Sequence, residues 1–172
     1  MSTKDLFDNE AKAKLRDLAE DIKFTMMVTA LDLKPLNAIP MTTKKVDEQG
    51  NIWFLSAADS DHNKHIENDE RVQLIYSDPS DMRYLSVYGE AVITKERKIL
   101  AELYDKKSDV WFDGLGDPRL TAIQFYPREA YYWDTKNGKL TTFIKMGVGA
   151  ITGKKQNLGL QGELHIESNS FT

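Results

Sequence analysis

A serine and a lysine eight residues apart are the side chains of this sequence best suited to bind a phosphorylated ligand. Ser56 ends the apolar run 52–56, and Lys64 follows it across the polar segment 59–64, which predicts a loop. At a strand end, backbone groups and a hydroxyl can hydrogen-bond a planar heterocycle while an ammonium meets its phosphate. A core strand followed by a solvated loop explains the same residues equally well, so spacing alone leaves both interpretations open.

The preceding segment, Met41-Thr42-Thr43-Lys44-Lys45, offers hydroxyls and a second cation to the same pocket. A solvent-exposed strand end is an equally good interpretation. Isolated basic residues bind phosphate weakly, because a single ammonium makes few directed contacts. A phosphate site therefore requires Lys44 and Lys64 to converge in the fold.

Two other groups of residues resemble known sites but lack the context that such sites need. Gly147-Val148-Gly149 with Gly153-Lys154 suggests a nucleotide loop, yet a true fingerprint needs a following βαβ unit, and only nineteen residues follow Gly153. His62 and His65 lie among acidic residues, but no third ligand follows at a fixed spacing. We interpret the glycines as a flexible helix end and the histidines as solvated, and we predict no metal site.

The composition is that of an ordinary globular domain, and it excludes several classes of function. Of the 172 residues, 41% are hydrophobic, 29% are charged and none is cysteine, which excludes thiolate metal sites and cysteine nucleophiles. The net charge is −4 with Lys and Arg scattered along the chain, so nucleic acid is not an expected partner. The sequence shows no signal peptide and no apolar run near the roughly 18 residues of a membrane span. We predict one cytoplasmic domain over residues 1–172, with no membrane partner.

Hydrophobic periodicity predicts a mainly β fold. Helices are expected over about 9–22, 65–68 and 95–104. Strands are expected over 24–31, 36–46, 52–56, 71–77, 83–94 and 120–133, the fifth interrupted by Gly89 and the sixth bent near Pro127. The tail, about 141–172, is predicted to hold a helix over 143–151 and a strand over 163–166. Closely spaced strands without βαβ units indicate an antiparallel barrel with added helices, and Gly89 is typical of a bulge or barrel corner.

The order of these elements, together with short motifs along the chain, resembles a known family. The motifs are Pro40-Met41, the run 52–56, Lys64, Gly89-Glu90-Ala91, the Trp111 region, Asp117-Pro118-Arg119-Leu120, Tyr132-Trp133-Asp134 and the tail 149–155. They are similar to those of the general stress proteins in the pyridoxamine 5'-phosphate oxidase-like, FMN-binding split-barrel superfamily. The likeness covers roughly residues 17–155.

The resemblance implies a six-stranded antiparallel Greek-key split β-barrel that forms a homodimer with FMN at the subunit interface. It places the FMN phosphate near Ser56, Asn63 and Lys64. It places Trp111 close to the flavin, whose isoalloxazine ring would be lined by Met41, Thr42, Thr43, Phe54 and Leu55. With Lys44 from the neighbouring strand, these are the predicted cofactor-binding residues.

The function implied by the resemblance is that of a stress-related, FMN-dependent oxidoreductase that uses a reduced nicotinamide or another electron donor. A non-catalytic module that sequesters flavin is the alternative, and FAD, haem or a deazaflavin are the alternative ligands. Ile39 stands where family members commonly carry an arginine before the Pro-Met pair, which removes one expected cation. The chain also lacks the Arg-x-His motif of true pyridoxamine phosphate oxidases, so vitamin B6 oxidation is not expected. No catalytic residue is assigned, because no set of His, Glu or Tyr residues shows a pattern typical of proton transfer.

Overall fold

The described residues of the chain, 2–135 and 159–166 in a computed structural model, form ten strands and four helical segments. The strands are β1 Ser2–Thr3, β2 Leu6–Phe7, β3 Phe24–Thr29, β4 Asn37–Thr42, β5 Lys45–Val46, β6 Ile52–Ala57, β7 Arg71–Asp78, β8 Arg83–Thr94, β9 Leu120–Thr135 and β10 Gly159–His165. The helices are α1 Asp8–Ile22, α2 Asp61–Asn68, α3 Arg97–Leu103 and a short 3-10 helix, Lys106–Val110. None of these helices is long and apolar enough to cross a membrane. The predicted helix over 143–151 and the glycine motif at 147–154 lie outside the described residues.

One sheet contains all ten of these strands, and two of its edges approach each other. β4, β3, β7, β8 and β9 pair in that order, each antiparallel to the next, and the first half of β9 also pairs with β6. β4 and β6 line a common cleft, but β4 pairs with β3, and β6 with β5 and β9. The barrel is therefore split along a seam between β4 and β6.

Two apolar clusters hold the sheet and helices together. α1 packs against the sheet through a buried stripe at helical spacing, as its periodicity predicts: Ala11, Leu15, Leu18 and Ala19. Phe54 of β6 belongs to the same cluster. The neighbouring Trp53 belongs to a second cluster with Leu103 of α3 and Phe112. β6 is thus buried on both faces, which fixes the position of one side of the seam.

β8 and β9 change register at the glycine that interrupts β8, as the sequence predicts. Tyr88 pairs with Glu129 whereas Gly89 pairs with Pro127, so β9 carries an extra residue here, which is a β-bulge. A Cβ on Gly89 would lie 2.1 Å from the carbonyl oxygen of Tyr126. Only glycine permits this approach of the two strands, and a bulge also tolerates the missing N–H of Pro127.

Three elements differ from the prediction. The strand predicted over 36–46 is divided into β4 and β5, because the chain changes its pairing partner from β3 to β6 between them. The loop predicted over 59–64 is helical from Asp61, because Ser60 caps α2 by accepting the Asn63 N–H at 3.3 Å. The last strand begins at Gly159 rather than at residue 163, and β1 and β2 pair with it in parallel, which an antiparallel barrel does not predict.

We expect Gly89→Ala to lower the free energy of unfolding by about 2 kcal/mol or more, because the added methyl group overlaps backbone of the β8–β9 ladder. Gly116→Ala is the matched control, since a Cβ there meets no described atom within 4 Å, and its effect should stay below about 0.5 kcal/mol. Urea unfolding measures both values. Equal stability of the two variants would show that the bulge does not require glycine.

Candidate functional site

A cleft of about 460 Å³ lies along the seam between β4 and β6. Its walls come from residues 39–42 of β4, residues 55–57 of β6 and parts of the segment 105–119 that follows α3. Cavities of roughly 300–1,000 Å³ with apolar walls and a few polar groups are typical of small-molecule sites. A larger, open groove of about 710 Å³ beside β10 contains none of the predicted site residues. The cleft at the seam is therefore the candidate functional site.

Part of the cleft lining is apolar. Six apolar residues contribute to it, from β4, from β6 and from the segment 105–119: Ile39, Pro40, Met41, Leu55, Trp111 and Phe112. Trp111 is 75% exposed, and an exposed aromatic side chain at the rim of a cleft is typical of a residue that contacts a ligand or a second protein. A flat apolar ring system can pack against these apolar side chains.

The charged side chains that line the cleft are mainly basic, although the chain as a whole is acidic. Four cationic side chains line it, Lys23, Lys44, Lys107 and Arg119, against one carboxylate, Asp105, among the described lining residues. Four positive charges and one negative charge leave a formal +3, whereas the whole chain carries −4. Charges of one sign in a cleft with apolar walls concentrate ions of the opposite sign. The cleft therefore favours a negatively charged ligand.

Lys44 is held between the barrel and the 3-10 helix. Its side chain is 13% exposed, and its Nζ lies 2.9 Å from Oδ2 of Asp105 and donates to Oγ of Ser108 at 3.2 Å. Asp105 and Ser108 also form the capping box of the 3-10 helix. The hydrogen bond from Lys44 lowers the pKa of Asp105 below its ordinary value, with burial opposing it. An anion that enters the cleft thus meets an ammonium whose position is already set.

Asp117 orients Arg119 and the loop that carries Trp111. Its carboxylate accepts hydrogen bonds from Nη2 of Arg119 at 2.9 Å and from the backbone N–H groups of Arg119 at 2.8 Å and Asp113 at 3.0 Å. The side-chain bond from Arg119, followed by the two backbone bonds, lowers the pKa of Asp117 to about 2. Nη2 of Arg119 also lies 3.5 Å from the carbonyl oxygen of Trp111. One ion pair therefore positions both a cation and the exposed tryptophan.

Ser56 reaches the cleft, but its hydroxyl proton is used within the protein. Thr121 donates its hydroxyl proton to the carbonyl oxygen of Ser56 at 2.8 Å, so the 2.7 Å contact between the two hydroxyls uses the proton of Ser56. Asn63 donates its amide to Thr121 at 3.0 Å, and its buried Oδ1 has no hydrogen-bond partner among the described residues. Ser56 therefore offers a ligand lone pairs, which suit a donor group better than a phosphate oxygen.

Six of the ten predicted residues come together in the cleft: Met41, Thr42, Lys44, Leu55, Ser56 and Trp111. The side chains of Thr43 and Phe54 turn away from it. Thr43 is buried and shares a 2.7 Å hydrogen bond with the hydroxyl of Tyr76, and Phe54 faces the main core. Leu55 lines the cleft, whereas Phe54 is buried in the core and does not.

The convergence of Lys44 and Lys64 that a shared phosphate site requires is not found. Nζ of Lys64 lies 3.0 Å from Asp61 in an exposed pair on α2, whereas Lys44 pairs with Asp105 in the cleft. Asp61 and Lys64 pair because residues three apart on a helix share a face. A role of Lys64, or of the buried Asn63, in phosphate binding stays a prediction.

Five charged or titratable cleft residues are absent from the predicted set of cofactor-binding residues: Lys23, His62, Asp105, Lys107 and Arg119. They come from the end of α1, from α2, from the 3-10 helix and its N-cap, and from the turn before β9, so no spacing in the sequence connects them. The motif 117–120 was the one available signal, because it places an arginine two residues after an aspartate.

The two histidines considered as metal ligands have different neighbours. Nε2 of His62 lies 3.1 Å from Oγ of Ser60, and Nδ1 of His65 lies 3.0 Å from Oγ1 of Thr29. His62 lines the cleft, but His65 does not. Within residues 2–135 and 159–166, no three His, Cys, Asp or Glu side chains form a group that could hold a metal ion.

Several solved structures share this fold. A Jannaschia sp. CCS1 protein assigned as general stress protein 26 matches with a TM-score of 0.76 and 22% identity, over 91% of this chain and 98% of that protein. General stress protein 26 of Bacillus anthracis str. Sterne matches with a TM-score of 0.62 and 19% identity, over 70% and 92% of the two chains. The general stress FMN/FAD binding protein of Xanthomonas citri matches with a TM-score of 0.63 and 20% identity, over 73% and 89%. These likenesses confirm the predicted mainly β, split-barrel fold class.

The sequence itself identifies the family. No curated protein matches the chain. The profile of the family described as pyridoxamine 5'-phosphate oxidase like, however, matches residues 10–157, which include β3 to β9 and every cleft residue named above. The predicted resemblance is confirmed, and the chain belongs to the pyridoxamine 5'-phosphate oxidase like family.

Proposed function

We propose that the cleft between β4 and β6 binds FMN and that the protein is an FMN-dependent oxidoreductase. One observation carries the proposal: apolar side chains suited to a planar ring and four cations suited to a phosphate line the same cleft, in a chain of net charge −4. The Xanthomonas citri protein that shares the fold is described as FMN/FAD binding. A flavin nucleotide is therefore the ligand that the cleft supports best, with FMN as the form that carries a single phosphate.

The described cleft residues fit the two parts of FMN. Met41, Leu55 and Trp111 would pack against the isoalloxazine ring, since they are apolar residues that line the cleft. Lys44 and Arg119 would meet the phosphate, because their carboxylate partners already hold them in place. Charge-assisted hydrogen bonds of this kind are about twice as strong as neutral ones.

FMN would supply the electron transfer from a reduced nicotinamide to an acceptor, and the protein would supply binding, orientation and charge. The apolar lining residues would exclude water from the bound ring, and the cations would balance the charge of the phosphate. Of the described residues that line the cleft, His62 alone is of a type that titrates near neutral pH. We assign no catalytic acid or base.

We expect Lys44→Ala to raise the dissociation constant of FMN roughly tenfold or more, since a hydrogen bond to a charged group contributes about 1.5–3 kcal/mol. The matched control is Lys45→Ala, because Lys45 pairs with Glu102 and does not line the cleft. Quenching of flavin fluorescence measures both constants. Equal constants for the two variants would contradict the assignment of the phosphate to Lys44.

Lys64→Ala belongs to the same series because it tests the sequence-based position of the phosphate. Since Lys64 pairs with Asp61 outside the cleft lining, we expect a smaller loss than for Lys44→Ala. A larger loss would place the phosphate at Lys64 instead of Lys44. The absorbance of the purified protein identifies the class of ligand. Flavin bands support FMN or FAD, and a Soret band supports haem. A colourless protein that does not bind added FMN would contradict the proposal.

We expect the FMN-loaded protein to oxidise NADH or NADPH with a quinone or nitro compound as acceptor, faster than the same concentration of free FMN. The physical reason is that the cleft orients the flavin and leaves the donor a fixed face to approach. Steady-state loss of nicotinamide absorbance is the measurement. FMN binding without turnover on any acceptor would favour the alternative, a module that sequesters flavin.

We also propose that the protein is a homodimer that pairs through the outer face of its sheet. Residues directly opposite each other on successive strands form a row: Pro40, Met26, Ile75, Ser86 and Tyr131. Met26, Ile75 and Tyr131 are exposed by 41%, 46% and 43%, and apolar patches of this kind are typical of protein–protein interfaces. Pro40 also lines the cleft, so a second copy on this face would sit beside the ligand.

We expect Ile75→Lys to convert the dimer into a monomer, because a lysine in the middle of the row would be buried without a partner. Leu33→Lys is the control, since Leu33 is 58% exposed but lies outside the row, in the turn between β3 and β4. Sedimentation equilibrium gives both masses. A monomeric wild-type protein, or a dimeric Ile75→Lys variant, would contradict the assignment of this face.

A further inference from the structure

His62 presents an unused hydrogen-bonding group at the wall of the cleft. It is the second residue of α2 and lines the cleft. Its Nε2 lies 3.1 Å from Oγ of Ser60, and in the described part of the chain its Nδ1 has no hydrogen-bond partner. Oγ of Ser60 also accepts the N–H of Asn63 at 3.3 Å. A protonated ring carries an N–H on both nitrogens, so Nδ1 of the imidazolium has a proton to donate. That N–H is a donor to whatever binds beside it.

The charged groups around His62 are of both signs. Asp61, which pairs with Lys64, favours the protonated ring, and His65 disfavours it. Two strands pack against α2: β3 through the uncharged Thr29, which bonds His65, and β8, whose Glu90 pairs with Arg128. The other charged side chains that line the cleft are Lys23, Lys44, Asp105, Lys107 and Arg119.

These surroundings favour the neutral form of the ring while no anion is beside it. Burial lowers the pKa of His62 below its ordinary value of 6.5, His65 acts in the same direction, and Asp61 opposes them. A phosphate placed next to the ring reverses this balance, since an opposite charge within about 4–6 Å favours the charged form of a group.

We propose that His62 binds the phosphate of the flavin as an imidazolium, and that the ring takes up one proton from solvent when the ligand enters the cleft. The inference rests on the proposed function, because it concerns the same cleft. Its consequence is a pH-dependent affinity. Above the pKa of His62 in the complex no proton is taken up and the affinity is constant; the affinity rises as pH falls through that value and levels off below the pKa in the free protein.

FMN titrations at about pH 5.5 and about pH 8.5, with the wild-type protein and His62→Gln, test this inference. The phosphate itself gains a proton with a pKa of about 6, which affects both proteins, so the ratio of their dissociation constants is the informative quantity. We expect this ratio to favour the wild type about tenfold more at the lower pH, which corresponds to a rise of one unit in the pKa of His62 on binding. With riboflavin, which lacks the phosphate, the ratio should not change with pH.

His65→Gln is the matched control, because His65 bonds Thr29 and does not line the cleft. We expect this variant to keep the pH dependence of the wild type. Calorimetry in buffers of different ionisation enthalpy gives a second readout that needs only folded wild type and His65→Gln: both should take up protons with FMN near pH 6.5, and less so with riboflavin.

Two results would overturn the inference, and they are distinguishable. Parallel pH curves for the wild type and His62→Gln, or equal proton uptake with FMN and riboflavin, would remove the role of His62 and leave flavin binding intact. Absence of FMN binding to the wild type at every pH would overturn the proposed function, and this inference with it.

Discussion

The rest of the structure depends on the open seam between β4 and β6. If these strands were paired, residues 39–42 and 55–57 would face each other across a ladder instead of lining a cleft. Pro40 lies on β4 opposite Met26, and a proline is tolerated on an edge strand because it has no N–H to donate to a further strand. An unpaired edge invites association with other chains, and here the segment 105–119 lies over it. The cleft therefore exists because β4 and β6 do not pair with each other.

The second constraint is that the cations of the cleft are in place before a ligand arrives. Lysine and arginine side chains lose about 2 kcal/mol of rotamer entropy when they are fixed. In this fold Asp105 forms an ion pair with Lys44, and Asp117 forms one with Arg119. These two side chains therefore lose their rotamer entropy during folding and not when a ligand binds. Each carboxylate also weakens the field that a phosphate feels. The ion pairs thus weaken the attraction between the cations and a ligand anion, but they reduce the entropy that the side chains lose on binding, which is the usual basis of preorganised binding.

Local patterns in the sequence predict the fold well where neighbouring residues determine it. The strand predicted over 83–94 has those bounds, its glycine marks a bulge, and the helix predicted over 9–22 begins one residue earlier. The prediction fails where a contact with a residue distant in the sequence determines the local structure. β1 exists because Ser2 pairs with Leu160, and no pattern within residues 2–7 shows this. The same distinction applies to the site: Phe54 and Leu55 share one strand, but only the packing around β6 tells which of them faces the cleft.

Convergence of charge is likewise a property of the fold rather than of the sequence. Lys and Arg are scattered along a chain of net charge −4, which argues against a polyanionic partner, yet four of them meet in one cleft. The two facts agree because exposed charges are screened beyond about 8 Å at physiological ionic strength. A small anion in the cleft lies within a few ångströms of the cations and is shielded from most of the acidic surface. A long polyanion would lie along that surface and meet its repulsion, so the charge distribution that disfavours a nucleic acid is compatible with the proposed mononucleotide ligand.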